Sequence, residues 1–438
     1  MTRSIKWLFG LIVSLVLILA LAYPNREGIV MGLAGIALDL GQPVGPNQDI
    51  RWSGGVDPQN RSVAERPPNI VLILADDLGW NDLTFGGGGV AGGTVPTPHI
   101  DSIAQQGVNF TNGYAANGTC APSRAALMSG RYGTRFGFEF TPTPPGMMTL
   151  GRLAPKNPDS LRDRISVPEA ESIPFEQKGM PASEITVAEL LSERGYHTAH
   201  IGKWHLGRGK GMEAHQQGFK ESLLMASGLY LPEDDPQVVN SKQDFDPIDR
   251  FLWVGMKFAA SFNDGDAFAP DGYITDYYTE QAVEVIEANK DRPFFLYLAH
   301  WAPHTPLQAT REDYAALSHI KNHRERVYAA MIRSLDRGVG QVLDALKANG
   351  LEENTLVMFT SDNGGAGYIG LPEVNSPYRG WKMTLFEGGI HVPFFAKWPA
   401  RIPAGTRVAD PVHHFDLFAT AAAAGGAVLP TDRTIDGV

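Results

Sequence analysis

Cysteine is almost absent: Cys120 is the only one among 438 residues. No internal disulfide can form, so Cys120 is either a small buried hydrophobe or a residue kept for its reactivity. Positive charge is also scarce. Lys and Arg number 37 against 48 Asp and Glu, a net charge of −11, the wrong sign for a general nucleic-acid binder. An anionic substrate would therefore need locally gathered positive charge or a metal. The run Gly86-Gly87-Gly88-Gly89 has no Walker pattern around it and reads as turn chemistry rather than a phosphate cradle. Apolar residues are present in ordinary amount, 43% of the chain, enough for a sizeable core in one large α/β domain or two smaller ones.

The N-terminus carries an export pattern. Arg3 and Lys6 precede an apolar run over residues 7–19, and Ala20-Leu21-Ala22 offers small residues at a cleavage site. Extended to Tyr23 the run is also about as long as a short transmembrane helix, so residues 1–22 are expected to be a signal peptide or an N-terminal membrane anchor. Either places the remainder outside the cytoplasm: periplasmic, secreted or membrane-anchored. Residues 23–66, rich in Gly, Pro and Asn, read as a linker or arm, and the catalytic domain is expected over 67–438.

Ile70-Val71-Leu72-Ile73-Leu74-Ala75 is a short continuous apolar run of the kind found in a buried strand. It ends in Asp76-Asp77, at the strand end where open α/β sheets place ligands; metal ligation and a solvated acidic turn both fit. Residues 99–107 read as an amphipathic helix closed by Gly107. Pro122 suits the first turn of another, which puts Cys120 at a helix N-terminus, where free N–H groups favour an anion. Thr186 and Glu189 form a capping box for a helix that Gly195 closes. The strand over 196–201 then delivers Lys203 and His205, two apart and able to point the same way.

Residues 142–181 and 220–272 are irregular: the first reads as a long surface excursion of the kind that sets specificity, and the second as either a specificity insertion or, the preferred reading, a capping loop with its own small core. A helix over 274–288 and a strand over 294–298 lead to His300-Trp301-Ala302-Pro303-His304, where position at a strand end favours a functional His304, although a structural histidine is the default for any single case. A long helix over 325–348 carries Val327, Met331, Leu335, Val339, Val342 and Leu346 at helical spacing. The strand over 355–360 ends in Ser361-Asp362-Asn363. Two strand ends bearing oxygen donors strengthen the case for one hard cation between them. Strands alternating with helices define the class as α/β.

Cys120-Ala121-Pro122-Ser123-Arg124, continuing through Leu127 and Gly130 to Arg131, resembles the signature of type I sulfatases, in which the cysteine is oxidised after translation to Cα-formylglycine. Gly202-Lys203-Trp204-His205-Leu206-Gly207 resembles a second motif of that family. Glu387-Gly388-Gly389 resembles a third, although an arginine is common where this chain has His391. The resemblance runs from about Pro68 to Val438 and implies an alkaline-phosphatase-like fold: a large mixed β-sheet sandwiched by helices, with the site at the strand ends. Related enzymes usually run on into a smaller C-terminal subdomain, so the sequence is expected to be truncated before it.

The activity implied is hydrolysis of aryl or carbohydrate sulfate monoesters to alcohol and inorganic sulfate. By this similarity Asp76, Asp77, Asp362 and Asn363 would hold one divalent cation, Ca²⁺, and the hydrated aldehyde made from Cys120 would attack sulfur. Arg124 would orient that group, Lys203 and Lys382 would clamp sulfate oxygens, His304 would protonate the leaving group, and His205 would take the second hydroxyl's proton. The partners implied are a sulfate-ester substrate and a formylglycine-generating maturation enzyme, with no nucleic acid. A phosphonate or phosphate ester hydrolase on the same scaffold, or a catalytically silent envelope protein, are the alternatives.

Overall fold

The computed structural model describes residues 43–143, 173–243 and 246–438. The expected signal or anchor over 1–22, part of the arm and most of the first irregular stretch lie outside the described residues. Among the described residues, no helix is long and apolar enough to cross a membrane.

The principal sheet is mixed and contains β1 (Asn69–Ala75), β2 (Val108–Phe110), β3 (His197–Gly202), β4 (Glu221–Gly228), β5 (Phe258–Phe262), β6 (Phe294–Ala299), β7 (Thr355–Ser361), β8 (Phe394–Lys397) and β9 (Thr406–Val408). Their order across the sheet is β9-β2-β8-β7-β1-β6-β3-β4-β5. The central run from β7 to β4 is parallel, and the antiparallel neighbours β8 and β5 flank it. Every residue of β1 is buried because both faces of a central parallel strand are covered. Ile70, Leu72 and Leu74 enter one core, and Val71, Ile73 and Ala75 the other.

Helices α1 (Pro98–Gln105), α4 (Ile274–Ala288) and α5 (His323–Ala348) pack on the Val71 side. The opposite face is covered by α2 (Cys120–Ser129), α3 (Val187–Glu193) and α6 (His414–Ala424). The apolar stripe of α5 is buried from Val327 to Leu346, as its spacing predicts. The capping box of α3 also forms: Glu189 N–H donates to Thr186 Oγ1 at 3.1 Å, and Thr186 N–H to Glu189 Oε2 at 2.7 Å. Residues 43–66 lie against the domain, with Trp52 Nε1–H donating to Gln281 Oε1 at 2.8 Å.

One expectation fails. Residues 220–272 do not form a capping loop with its own core; they supply β4, the edge strand β5, a strand Val238–Ser241 paired with Leu307–Thr310, and a helix Pro247–Gly255. β4 hides from a hydrophobic reading because it opens on polar residues buried through partners. The Glu221 carboxylate lies 2.8 Å from His197 Nε2 and accepts from Ser53, while Ser222 Oγ pairs with His200 Nδ1 at 2.9 Å. A bulge between Met225 and Ser227 then breaks its alternation.

Candidate active site

Strands β7, β1, β6 and β3 are parallel neighbours, so their carboxyl ends open on one edge of the sheet. There the chain presents Asp362-Asn363, Asp76-Asp77, His304 and Lys203-Trp204-His205 in adjacent turns. These turns are sharp: Asp77 has φ 60° and His205 φ 63°. Gly202, at φ 104°, has no room for a side chain, because a Cβ there would lie 2.0 Å from Ala299 O.

From the other face α2 aims its N-terminus at the same place, with Cys120 as its first residue. Cys120 Sγ lies 3.6 Å from Asp76 Oδ1 and 3.8 Å from Asp77 Oδ1, fully enclosed.

Three carboxylates and three fixed cations meet here without solvent. Arg124, one turn into α2, donates from Nη2 to Asp76 Oδ2 at 2.9 Å, from Nε to Asp362 Oδ2 at 2.9 Å and from Nη1 to Lys203 O at 2.8 Å. Lys203 Nζ reaches Asp76 Oδ2 at 2.6 Å. Lys382 Nζ reaches Asp77 Oδ2 at 2.7 Å and His304 Nε2 at 2.9 Å. Removed from water, these charges are tolerable only in mutual contact.

Asp76 and Asp362 share Arg124 and titrate differently. Burial and the neighbouring Asp362 charge push Asp76 up to about 6. Burial also opposes ionisation of Asp362, but Arg124, Lys203 and Lys382 outweigh it and hold that carboxyl below its ordinary range. Burial disfavours the Lys382 ammonium, yet Asp77 more than compensates and keeps it charged well above the usual lysine range.

Burial, then the charges of Lys382 and Lys203, push His304 well below the ordinary histidine range, so its ring is neutral. Its Nδ1 lies 2.5 Å from Thr305 O, an acceptor, so Nδ1 carries the proton and Nε2 accepts from Lys382. His205 is likewise neutral, lowered by burial and by Lys203, Arg124 and Lys382. The Cys120 thiol is raised well above its usual range by burial and Asp362, so it is not a thiolate and is a poor nucleophile as it stands.

The donor set offers a divalent cation carboxylate oxygens from Asp76 and Asp77, whose ligand atoms lie with Cys120 Sγ and a ring nitrogen of His304 within 4.8 Å of one another. Asp362, also expected as a ligand, lies outside that group, with its oxygens taken by Arg124 Nε and Asp77 N–H. Asn363 Nδ2–H donates to Asp77 Oδ1 at 2.7 Å, while Asn363 Oδ1 is buried without a hydrogen-bond partner. Carboxylate and amide oxygens are the ligands such an ion takes.

Every expected site residue falls in this one region: Asp76, Asp77, Cys120, Arg124, Lys203, His205, His304, Asp362, Asn363 and Lys382. Sequence reasoning missed their supports. Trp301 stacks on His304 with ring centroids 3.8 Å apart and lies under Lys203 Nζ at 4.5 Å. Tyr368 OH is 3.4 Å from Lys382 Nζ and 3.5 Å from Asp77 Oδ2. Ser123 Oγ pairs with the buried His414 Nδ1 at 3.1 Å behind Arg124. Trp301 stands beside His304 in the motif and could have been read; Tyr368 and His414 sit in no pattern that announces them.

A mixed α/β sheet with a buried centre of paired carboxylates and cationic side chains at the ends of its parallel strands defines the class. The chain belongs to the sulfatase family, in the alkaline phosphatase superfamily: the family model described as Sulfatase matches residues 68–427. It is 35% identical over 384 residues to N-acetylgalactosamine-6-sulfatase of Canis lupus familiaris, covering 86% of this chain and 65% of that protein. It is 32% identical over 442 residues to steryl-sulfatase of Mus musculus, covering 87% and 65%. The chain thus spans just under two thirds of the length of these relatives. Among solved structures, Ps i-CgsB in complex with k-i-k-neocarrahexaose superposes with a TM-score of 0.68 at 34% identity, covering 85% of this chain and 75% of that one.

Proposed function

We propose that the protein hydrolyses sulfate monoesters, carbohydrate sulfates foremost, to alcohol and inorganic sulfate. The observation that carries this reading is the pairing of Lys203 and Lys382 around Cys120, each ammonium already matched to one carboxylate of Asp76-Asp77. The carbohydrate preference draws on the relative named for N-acetylgalactosamine-6-sulfate chemistry and on the oligosaccharide named in the structural neighbour.

Asp76, Asp77, Asp362 and Asn363 would hold a divalent cation, for which Ca²⁺ suits the all-oxygen set, and its charge would polarise a sulfate oxygen. With position 120 oxidised to Cα-formylglycine by a maturation enzyme, the aldehyde hydrate supplies a hydroxyl nucleophile and a route back to a carbonyl that neither thiol nor serine offers. Lys203 and Lys382 bind the sulfate oxygens and match charge that grows in the transition state. Arg124 holds Asp76 and Asp362 in register against α2, so residue 120 faces the anion at a fixed distance. His304, protonated at Nε2 once the anionic substrate is bound, gives that proton to the leaving oxygen, while Thr305 O and the Trp301 ring fix the imidazole and Lys382 remains a cation. His205, neutral and partly buried, is the base that accepts the proton released when the hydroxyl collapses.

Matched aryl sulfate and aryl phosphate esters test this reading. Matured protein is expected to turn over the sulfate faster by on the order of 10²-fold or more in kcat/KM. A preference for the phosphate ester would overturn it in favour of a phosphohydrolase on the same scaffold.

A further inference from the structure

Lys382 enters the site on the stretch from Tyr378 to His391, and that stretch is held by one buried ring. His391 is 2% exposed. Its Nδ1 lies 2.9 Å from Glu387 Oε2 and its Nε2 3.1 Å from Thr111 O. A carboxylate and a carbonyl oxygen have no proton to give, so each ring nitrogen must donate. A ring that donates from both nitrogens is an imidazolium.

The surroundings suit a cation. Trp80, Tyr378 and Tyr114 place their rings 4.3, 4.5 and 4.9 Å from that of His391, and aromatic faces attract positive charge. The titratable groups facing it are Glu387, Tyr114 and Tyr378. Tyr114 OH donates to Glu387 Oε2 at 3.3 Å. Burial and the Glu387 charge raise both tyrosines above their ordinary range, so they remain neutral phenols while the imidazolium supplies the cation. Trp80 and the Thr111 carbonyl bring no titrating group.

Each ring comes from a stretch that delivers a site residue. Trp80 follows Asp77, Tyr114 leads to Cys120, and Tyr378 leads to Lys382. Backbone bonds tie the same stretches together: Ala115 N–H to Ile390 O at 2.7 Å, Val392 N–H to Gly113 O at 3.0 Å, and Gly364 N–H, next to Asn363, to Gly389 O at 2.9 Å.

We propose that His391, as an imidazolium donating from both ring nitrogens, is a positioning residue that locks together the stretches carrying Asp77, Cys120 and Lys382, and that turnover depends on this clamp. The turnover half of the proposal rests on the sulfatase reading; the protonation half does not.

The experiment has two arms on the full chain. Ring nitrogen NMR of ¹⁵N-histidine-labelled protein at neutral pH is expected to show one buried ring protonated at both nitrogens, absent from His391→Arg. In kinetics on an aryl sulfate, uncharged His391→Gln is expected to lower kcat about tenfold with KM changed less than about twofold. His391→Arg, a permanent cation with spare donors, should restore most of kcat. A neutral His391 ring overturns the proposal, as does equal loss of kcat in both variants. If the wild type shows no sulfate turnover, the sulfatase reading fails, and the NMR arm still decides the protonation of His391.

Discussion

Cys120→Ala is expected to abolish aryl sulfate turnover, by on the order of 10⁴-fold or more, while the denaturation midpoint stays near that of the wild type. The two halves have separate causes. Structurally the side chain is a small enclosed hydrophobe: its sulfur makes only long contacts, 3.6 and 3.8 Å, to Asp76 and Asp77. Deleting one buried atom of this kind costs about 1 kcal/mol. Chemically nothing replaces it, because the nearest hydroxyl on α2, Ser123, is turned away to His414. Retained turnover in the alanine variant, measured against a matched blank, would show that residue 120 is not the reacting group.

Arg124→Leu is expected to damage the fold as well as the reaction. The guanidinium is fully buried and joins Asp76, Asp362 and the Lys203 carbonyl. Removing it leaves buried carboxylates short of a cation, and breaking such a pair from one side costs about 3–5 kcal/mol. The urea midpoint should fall accordingly, with turnover lost. Arg124→Lys should recover part of the stability and little of the activity, since an ammonium cannot span two carboxylates in a fixed plane. If Arg124→Leu melts with the wild type, the centre is not held by mutual charge compensation and the geometry derived from it is wrong.

The site was far more legible than the edge of the sheet. Apolar runs that stop at Asp76-Asp77 and Asp362-Asn363 announce central strands and their ligand-bearing ends, because burial on both faces leaves an uninterrupted signal. Pro122 marks the start of α2 and so the place of Cys120. β4 carries no such signal: Glu221 and Ser222 are buried by partners from Ser53, His197 and His200, which lie far off or on another strand. His391 illustrates the same limit. Along the chain it is one histidine after a Glu-Gly-Gly stretch. Only the convergence of Trp80, Tyr114, Tyr378 and Thr111 gives it both its charge and its position.

The central claim is that residue 120 acts as an aldehyde and not as the thiol that is encoded. Burial and the Asp362 charge raise the thiol well above its usual range, which argues against an encoded thiolate as the nucleophile. Mass spectrometry of the peptide spanning Cys120, from protein made in its own host, tests this directly. The account predicts a peptide lighter by the difference between CH₂–SH and CHO, trapped by a carbonyl reagent. A peptide found entirely as the thiol in protein that is turning over sulfate ester would contradict it.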